Sequence, residues 1–318
     1  MAEMYDIVII GGGAAGFTAG IYAARDRCRA LLLERVAAGG QVLNCEHIEN
    51  YPGFPDGVAG YTLGPLLQQQ AMQLGLGVRL ADVEGVRLDG ELKVLQTSDG
   101  DVRAQALIIA TGSSFTSLGI PGEDTFLGRG VSHCAPCDGA MFMGQPVAVI
   151  GGGDAALDEA LYLTQYASQV TIVHRRDTLR ACRLLQERAQ AHTKLTFRWN
   201  TVVRAIEGEA VVQRLQVEDV KTGERSALDV AGVFLYPGLT PNTQFLNGLV
   251  PLNARGQVVT DLWMRTAVPG ILAAGDVRGD SARQLISAAG DGATAALAAV
   301  HYLRTGQWLG ETITEQHV

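Results

Sequence analysis

YDIVIIGGGAAGFTAGIYAAR, residues 5–25, decides how the chain is read. Residues 5–10 form an alternating, β-branched strand that stops at Gly11, Gly13 and Gly16, and an Ala-rich helix continues from Ala14. A strand, a GxGxxG turn and a helix in that order let backbone N–H groups approach a pyrophosphate at a helix N-terminus. The second strand of the unit, ALLLE (30–34), ends in Glu34, 23 residues past Gly11, where a carboxylate takes a ribose 2′-hydroxyl. Shifted by 140 residues, QPVAVIGGGDAALDEALYL (145–163) repeats the pattern with Gly151, Gly153 and Ala156, and its second strand is VTIVH (170–174). The position of Glu34 is here His174, which opens His174-Arg175-Arg176-Asp177, with Arg180 one helical turn further on. A carboxylate repels a 2′-phosphate and an arginine cluster clamps it, so the two units bind different dinucleotides and the second prefers NADPH. The plain alternative for that run is a solvated basic helix start.

The C-terminal part indicates what the first unit holds. PGILAAGDV (269–277) is a short strand ending in Gly275-Asp276, followed by Arg283-Gln284 and a long small-residue helix over 285–303. A Gly-Asp pair at a strand end, close to a helix N-terminus, suits the ribityl hydroxyls and pyrimidine edge of a flavin, although an ordinary turn before a core helix would look the same. Gly, Pro and Ser concentrate at 110–114 and 237–242 and mark two crossings between domains. The expected fold class is α/β, with two Rossmann-like dinucleotide-binding domains of the three-layer ββα type. An NADPH domain, 116–245, is inserted into a discontinuous FAD domain, 1–115 and 246–318.

Composition narrows the class. The chain has 318 residues, 47% of them hydrophobic, which supports two cores of ordinary size. A formal charge of −8 with one dense basic run argues against a nucleic-acid surface or a polybasic membrane contact. Every apolar run is interrupted before the ~18 residues that span a bilayer. MAEMYDIVII lacks a basic leader and enters a strand directly, and Cys28, Cys45 and Cys182 are scattered, so the cytoplasm with reduced thiols is the expected compartment.

Two cysteines stand apart from those three. Cys134-Ala135-Pro136-Cys137 lies just before the second glycine turn and is read as half a zinc site, a pair of core thiols or a redox disulfide. Zinc lacks a second CxxC, core thiols would be inert, and Asp138 directly after the motif supplies a carboxyl for proton transfer to a thiolate or reduced flavin, so the redox disulfide is favoured. His133 would lower the Cys134 pKa if it were charged and close; an exposed histidine is the ordinary reading.

Taken together, GGGAAG (11–16), GGQ (39–41), IENYPG (48–53), ATG (110–112), CAPCDG (134–139), GGGDAA (151–156), HRRDTLR (174–180), AAGDVR (273–278) and RQ (283–284) make the chain resemble a low-molecular-weight thioredoxin reductase over nearly its whole length. The resemblance implies FAD contacts at Gly11, Gly13, Ala14, Gly16, Glu34, Gly40, Gln41, Asn50, Thr111, Gly112, Gly275, Asp276, Arg283 and Gln284. It implies NADPH contacts at Gly153, Asp154, Ala155, His174, Arg175, Arg176 and Arg180. Cys137 would face the flavin, Cys134 would attack thioredoxin, and Asp138 would be the acid. Thioredoxin as partner, a homodimer, and rotation of the NADPH domain about 110–116 and 237–246 are further implications. The chain departs from the family where two aromatics often follow CxxCDG: here Ala140 and Met141 precede Phe142, which puts partner selectivity in question. Arg129 matches a position that steers thioredoxin, or is simply solvated. A dithiol oxidase or a reductase of another small redox protein is the competing enzyme, and a redox-sensing scaffold the non-enzyme reading.

Overall fold

The computed structural model describes residues 3–308 and divides into two compact units, one running to Ser114 and resuming at Thr240, the other spanning Phe115–Leu239. Residues 1–2 and 309–318, which the sequence assigns to the FAD domain, lie outside the described residues. The first unit comprises β1 (Glu3–Ile10), α1 (Ala14–Arg25), β2 (Ala30–Glu34), α2 (Gly60–Gln73), β3 (Gly77–Leu80), β4 (Val83–Asp89), β5 (Leu92–Thr97), β6 (Val102–Ile109) and β7 (Ser113–Phe115). The second holds β8 (Val131–Ser132), α3 (Ala135–Asp138), β9 (Pro146–Ile150), α4 (Asp154–Leu163), β10 (Gln169–Val173), α5 (Arg183–Ala191), β11 (Leu195–Arg198), β12 (Thr201–Gly208), β13 (Val212–Asp219), β14 (Arg225–Asp229) and β15 (Gly232–Leu235). Strand β16 (Leu239–Pro241) returns to the first unit, which closes with β17 (Ile271–Ala273) and α6 (Leu285–Thr305).

In the first unit β3, β2, β1, β6 and β17 run parallel, and β5 and β4 continue the sheet as an antiparallel meander. Alternation along β1 builds two cores. Ile7 and Ile9 face Phe17, Ala19 and Ala23 of α1 and Ala295 and Ala299 of α6, whereas Val8 and Ile10 share the opposite core with Val83, Val86 and Leu95 of the meander. Small residues let the two helices touch: a Cβ at Gly292 of α6 would fall 2.1 Å from the carbonyl oxygen of Ala15 in α1.

The second unit repeats the plan. Its parallel sheet has the order β11-β10-β9-β15-β8. Val147 and Val149 of β9 pack on Leu157, Ala160 and Leu163 of α4, while Ala148 and Ile150 face Val203, Ile206, Leu215 and Val217 of the antiparallel sheet β12-β13-β14. The three-layer ββα class therefore rests on the same two-residue period in both halves.

The return crossing falls at Thr240 rather than 246. Asn242 accounts for the difference: its amide Nδ2 donates to the Thr111 carbonyl at 2.8 Å, and its own carbonyl accepts from Thr111 Oγ1 at 2.8 Å. Leu246 is buried in the first unit's core with Val8 and Leu107. The crossing strands β7 and β16 pair with each other as a two-stranded ribbon.

Candidate active site

Parallel strands end together, so everything that follows β1, β2, β6 and β17 collects along one edge of the first sheet. Gly11 (φ +104°) has no room for a side chain, because a Cβ would fall 2.3 Å from the Ala110 carbonyl oxygen. Gly16 seats α1 against the turn, its Cβ position lying 1.8 Å from Gly11 O. Gly13, the N-cap of α1, has no atom within 4 Å of its Cβ position, so a cradle stays open at the helix start beside Ala14. Glu34 closes the turn: Oε2 accepts from Gly12 N at 2.6 Å and Oε1 from Val36 N at 2.9 Å. Gly40 and Gln41 follow β2, and Gln41 Nε2 donates to Ser113 O at 3.0 Å. Thr111 and Gly112 follow β6, and Asn50 Nδ2 donates to Gln284 Oε1 at 3.2 Å.

Gly275 and Asp276 follow β17. The Gly275 amide donates to Asp291 Oδ2 at 3.1 Å, and Asp291 is in turn held by Arg278 through Nε at 2.7 Å and Nη2 at 2.8 Å. Burial raises the Asp276 carboxyl above its ordinary value, opposed by the Ser281 hydroxyl that donates to it at 3.1 Å. Gln284 caps α6 in a reciprocal box with Ser287, and Arg283 beside it is exposed. The open helix start, the strand-end acid and the Gly-Asp turn fit the pyrophosphate, ribose and flavin ends of FAD.

The edge of the second sheet is built alike. Gly153 caps α4 with open space at its Cβ position, and Ala155 is exposed in the first helical turn. Asp154 Oδ1 accepts from Cys182 N at 2.7 Å, and the amide of Arg180 donates to Gly152 O at 2.7 Å, so residues 175–182 form a loop pinned on the glycine turn. Arg180 is therefore placed by a loop, not by a helical turn; α5 starts only at Arg183. His174 is 5% exposed, and a Cβ at Gly152 would fall 2.5 Å from its ring. Its Nε2 meets Thr178 O at 3.1 Å, and burial lowers its pKa, so it forms a neutral wall where Glu34 stands in the first unit. Arg175, Arg176 and Arg180 are exposed, and among the described residues their guanidinium groups have no ion-pair partner, while Asp177 is paired with Lys221 at 2.8 Å. Three unpaired guanidinium groups beside an open helix start fit a 2′-phosphorylated dinucleotide.

The dithiol lies on this same edge, because it follows β8, the outer strand of the same parallel sheet. Cys134 and Cys137 form a disulfide with Cα atoms 5.3 Å apart. Cys137 is exposed and Cys134 half-buried, and Cys134 Sγ accepts from Cys137 N at 3.3 Å. Two carboxyls hold the turn. Asp138 Oδ2 accepts from Ser132 Oγ at 2.6 Å, and that hydroxyl oxygen accepts from Cys134 N at 3.0 Å. Glu159 Oε2 accepts from Ala135 N at 2.8 Å, and burial pushes this carboxyl up to about 7. Next to it the Tyr236 hydroxyl is buried without a hydrogen-bond partner. His133 is half-buried rather than free: its Nδ1 meets Leu235 O at 3.0 Å and its ring stacks on Phe115 at 5.6 Å. After the motif, Met141 and Met143 are exposed at 68% and 63%, but Phe142 is buried against Phe234 and is not part of the surface.

The profile of the pyridine nucleotide-disulphide oxidoreductase family matches residues 5–293. The thioredoxin reductase of Treponema pallidum (strain Nichols) is 44% identical over 310 residues, which cover 96% of this chain and all of that protein. That of Bacillus subtilis (strain 168) is 43% identical over 303 residues, 95% of each. The chain belongs to the thioredoxin reductase family. Among solved structures, the Lactococcus lactis thioredoxin reductase in its FR conformation matches with a TM-score of 0.93 and 44% identity, covering 94% of this chain and 99% of that one. The T. acidophilum thioredoxin reductase gives a TM-score of 0.89 at 34% identity, covering 93% of this chain and 97% of that one. FAD and NADPH are the cofactors of the family.

Sequence reading alone passes over Ser132, Glu159, Tyr236, Arg278 and Asp291. Two of them leave a signal: Glu159 is an acid set among the core positions Ala156, Leu157, Ala160 and Leu163 of α4, and Asp291 is the lone acid of the Ala- and Gly-rich α6. Tyr236 leaves none, because its relation to the dithiol exists only once β15 and β8 are neighbours.

Proposed function

We propose that the chain is an NADPH-dependent thioredoxin reductase whose Cys134–Cys137 disulfide is the relay to the protein substrate. The observation that carries this reading is that a disulfide-bonded CxxC and a glycine turn flanked by unpaired arginines occupy the same edge of one sheet. FAD, when bound, takes the hydride of NADPH and passes its electron pair to the disulfide. Gly11, Gly13, Ala14 and Gly16 would hold its pyrophosphate, Glu34 its ribose, and Gly40, Gln41, Asn50, Thr111, Gly112, Gly275, Asp276, Arg283 and Gln284 the remainder. Gly153, Asp154 and Ala155 would receive the NADPH pyrophosphate, and Arg175, Arg176 and Arg180 its 2′-phosphate. His174 supports that site by packing, given its burial.

In the reduced protein Cys134 attacks the disulfide of thioredoxin, forming a mixed disulfide and releasing one thioredoxin thiolate. Cys137 then attacks Cys134 Sγ, restores the internal disulfide and frees the second thioredoxin sulfur. Asp138, tied to the motif through Ser132, would protonate the departing thiolate. A thioredoxin acceptor near about −270 mV lies within reach of NADPH. The two peptide crossings support rotation of the inserted domain as a body between the half-reactions. Exposed Met141 and Met143, with Arg129 nearby in sequence, offer thioredoxin an adaptable apolar contact.

A homodimer through the FAD domain is the proposed assembly. It is supported by a groove of about 410 Å³ along α2, lined by Tyr51, Phe54, Leu63, exposed Leu66 and Leu67 together with Gln69, Gln70 and Gln73. The cytoplasm is the proposed compartment, supported by Cys28 and Cys182, which form no disulfide among the described residues. The function is tested by anaerobic NADPH consumption with and without oxidised thioredoxin. Consumption that requires thioredoxin and collapses in C134S is expected; consumption that appears only when oxygen is admitted would replace the reductase with a dithiol oxidase.

A further inference from the structure

Beneath the Cys134–Cys137 turn lies a second carboxyl that no step of the thiol exchange employs. Glu159 projects from α4 into the core, is 8% exposed, and holds the Ala135 amide, one residue from Cys134, at 2.8 Å. Its neighbour Tyr236 is 6% exposed, and its hydroxyl has no acceptor. A buried phenol left without a partner costs free energy in this state, which favours any second state of the protein in which the phenol is bonded. The groups acting on Glu159 are Asp158 from its own helix, Tyr236 from the end of β15 and the Ala135 amide from α3; Asp138, also on α3, acts on Tyr236. Among the described residues no basic side chain forms an ion pair with Glu159, so its negative charge is stabilised by hydrogen bonding alone.

We propose that Glu159, assisted by Tyr236, is a proton-coupled positioning residue of the redox pair: it anchors the Ala135 amide as a carboxylate while the disulfide is closed, and takes up a proton when the dithiol forms. The inference rests on the reading of Cys134–Cys137 as the relay. The balance is simple. Two electrons and one proton derive from the hydride of NADPH and a second proton comes from solvent; the S–S bond breaks, and one thiol, one thiolate and one neutral carboxyl result. Reoxidation by thioredoxin reverses the sequence, and the carboxyl returns its proton.

The driving force is charge repulsion in a poorly solvated pocket. The thiolate created on reduction adds a second negative charge close to a carboxylate without a counter-ion, which favours the neutral acid. Burial already pushes that carboxyl up to about 7 in the disulfide form, so uptake occurs near neutral pH. The Tyr236 hydroxyl dipole beside it favours the ionised form before reduction.

The test reduces the holoenzyme anaerobically with NADPH, slightly above neutral pH, and records the reduced-minus-oxidised infrared spectrum, proton uptake and thiol titre for wild type, E159Q and Y236F. E159Q keeps an acceptor for the Ala135 amide but cannot ionise, and its spectrum also cancels the flavin background. The expected result is a protonated-carboxyl band that appears on reduction and is lost in E159Q, with up to about one proton fewer taken up per dithiol. In Y236F the band should persist to higher pH, because the carboxylate has lost the neighbouring hydroxyl dipole that favours its ionised form; this arm stands even if E159Q fails to fold. Two new thiols without the band in wild type, or with a band that survives in E159Q, overturns the proposal. No new thiols would overturn the reading of the disulfide itself, and the proposal with it.

Discussion

Asp291→Ala removes the acid at the centre of the Gly275–Asp276 turn. Arg278 loses both bonds to the carboxylate, at 2.7 and 2.8 Å, and the Gly275 amide loses its acceptor at 3.1 Å. The side chains of Arg278 and Asp291 are only 15% and 9% exposed, so the guanidinium would remain largely buried, with Gly279 O as its one remaining acceptor among the described residues. Breaking a buried pair by deleting one member costs about 3–5 kcal/mol, and an unsatisfied amide adds roughly 1 kcal/mol or more. For a unit of this size each kcal/mol lowers Tm by about 2–4 °C, so a fall of about 10–20 °C is expected. Denaturant titration of the protein with and without flavin measures the loss directly. Gly275 adopts φ +76° immediately before Asp276, so loosening the turn should also weaken flavin retention. Replacing both partners by apolar residues, R278M/D291L, should recover much of the loss, because neither charge is then buried. A D291A protein within about 0.5 kcal/mol of wild type, or a double variant no better than the single, would refute the argument.

Gly13→Ala and Gly153→Ala each place a methyl where the protein has no atom within 4 Å, so apoprotein stability should hold while affinity for FAD or for NADPH falls; equilibrium dialysis against unfolding curves separates the two. Neutralising Arg176 and Arg180 removes charge-assisted bonds worth about 1.5–3 kcal/mol each, so KM for NADPH should rise at least tenfold with that for NADH nearly unchanged; an equal rise for both would deny the 2′-phosphate role. Lys93 is 1% exposed, bonded to Glu91 O and Gln105 O at 2.8 Å, and burial lowers its pKa to about 8. A native pKa below the unfolded 10.5 means that the unfolded chain binds the extra proton between about 8 and 10.5, so unfolding stability gains from this residue as pH rises through that window. The gain approaches about 3 kcal/mol, and K93M should abolish it in denaturant titrations across that pH range.

Several features were open to view in the primary structure because they are local. A GxGxxG turn must place glycine at φ +104° beneath Ala110 O and at the Gly16 contact, and no other residue fits, so the requirement is written in the chain itself. The offset from Gly11 to Glu34 and from Gly151 to His174 is likewise set by one strand, one helix and a second strand. The helical placing of Arg180 failed for a related reason: the pattern predicts a periodic continuation, whereas the amides of Arg180 and Ala181 are taken by Gly152 O across the turn. The domain boundary at 246 failed because the bonds of Asn242 to Thr111 span more than a hundred residues.

By itself, then, the sequence determined the two dinucleotide folds, their order, their different cofactors and the redox cysteines, all of which depend on glycine conformation, period-two burial and charge sign within short spans. Only the tertiary structure decided what surrounds those motifs. It set His174 as a neutral wall, joined Arg278 to Asp291 under the Gly-Asp turn, and placed Glu159 and Tyr236 beneath the dithiol. The physical reason is that the state of a buried charge depends on desolvation and on partners brought from other strands and helices, and neither exists until the sheets have formed.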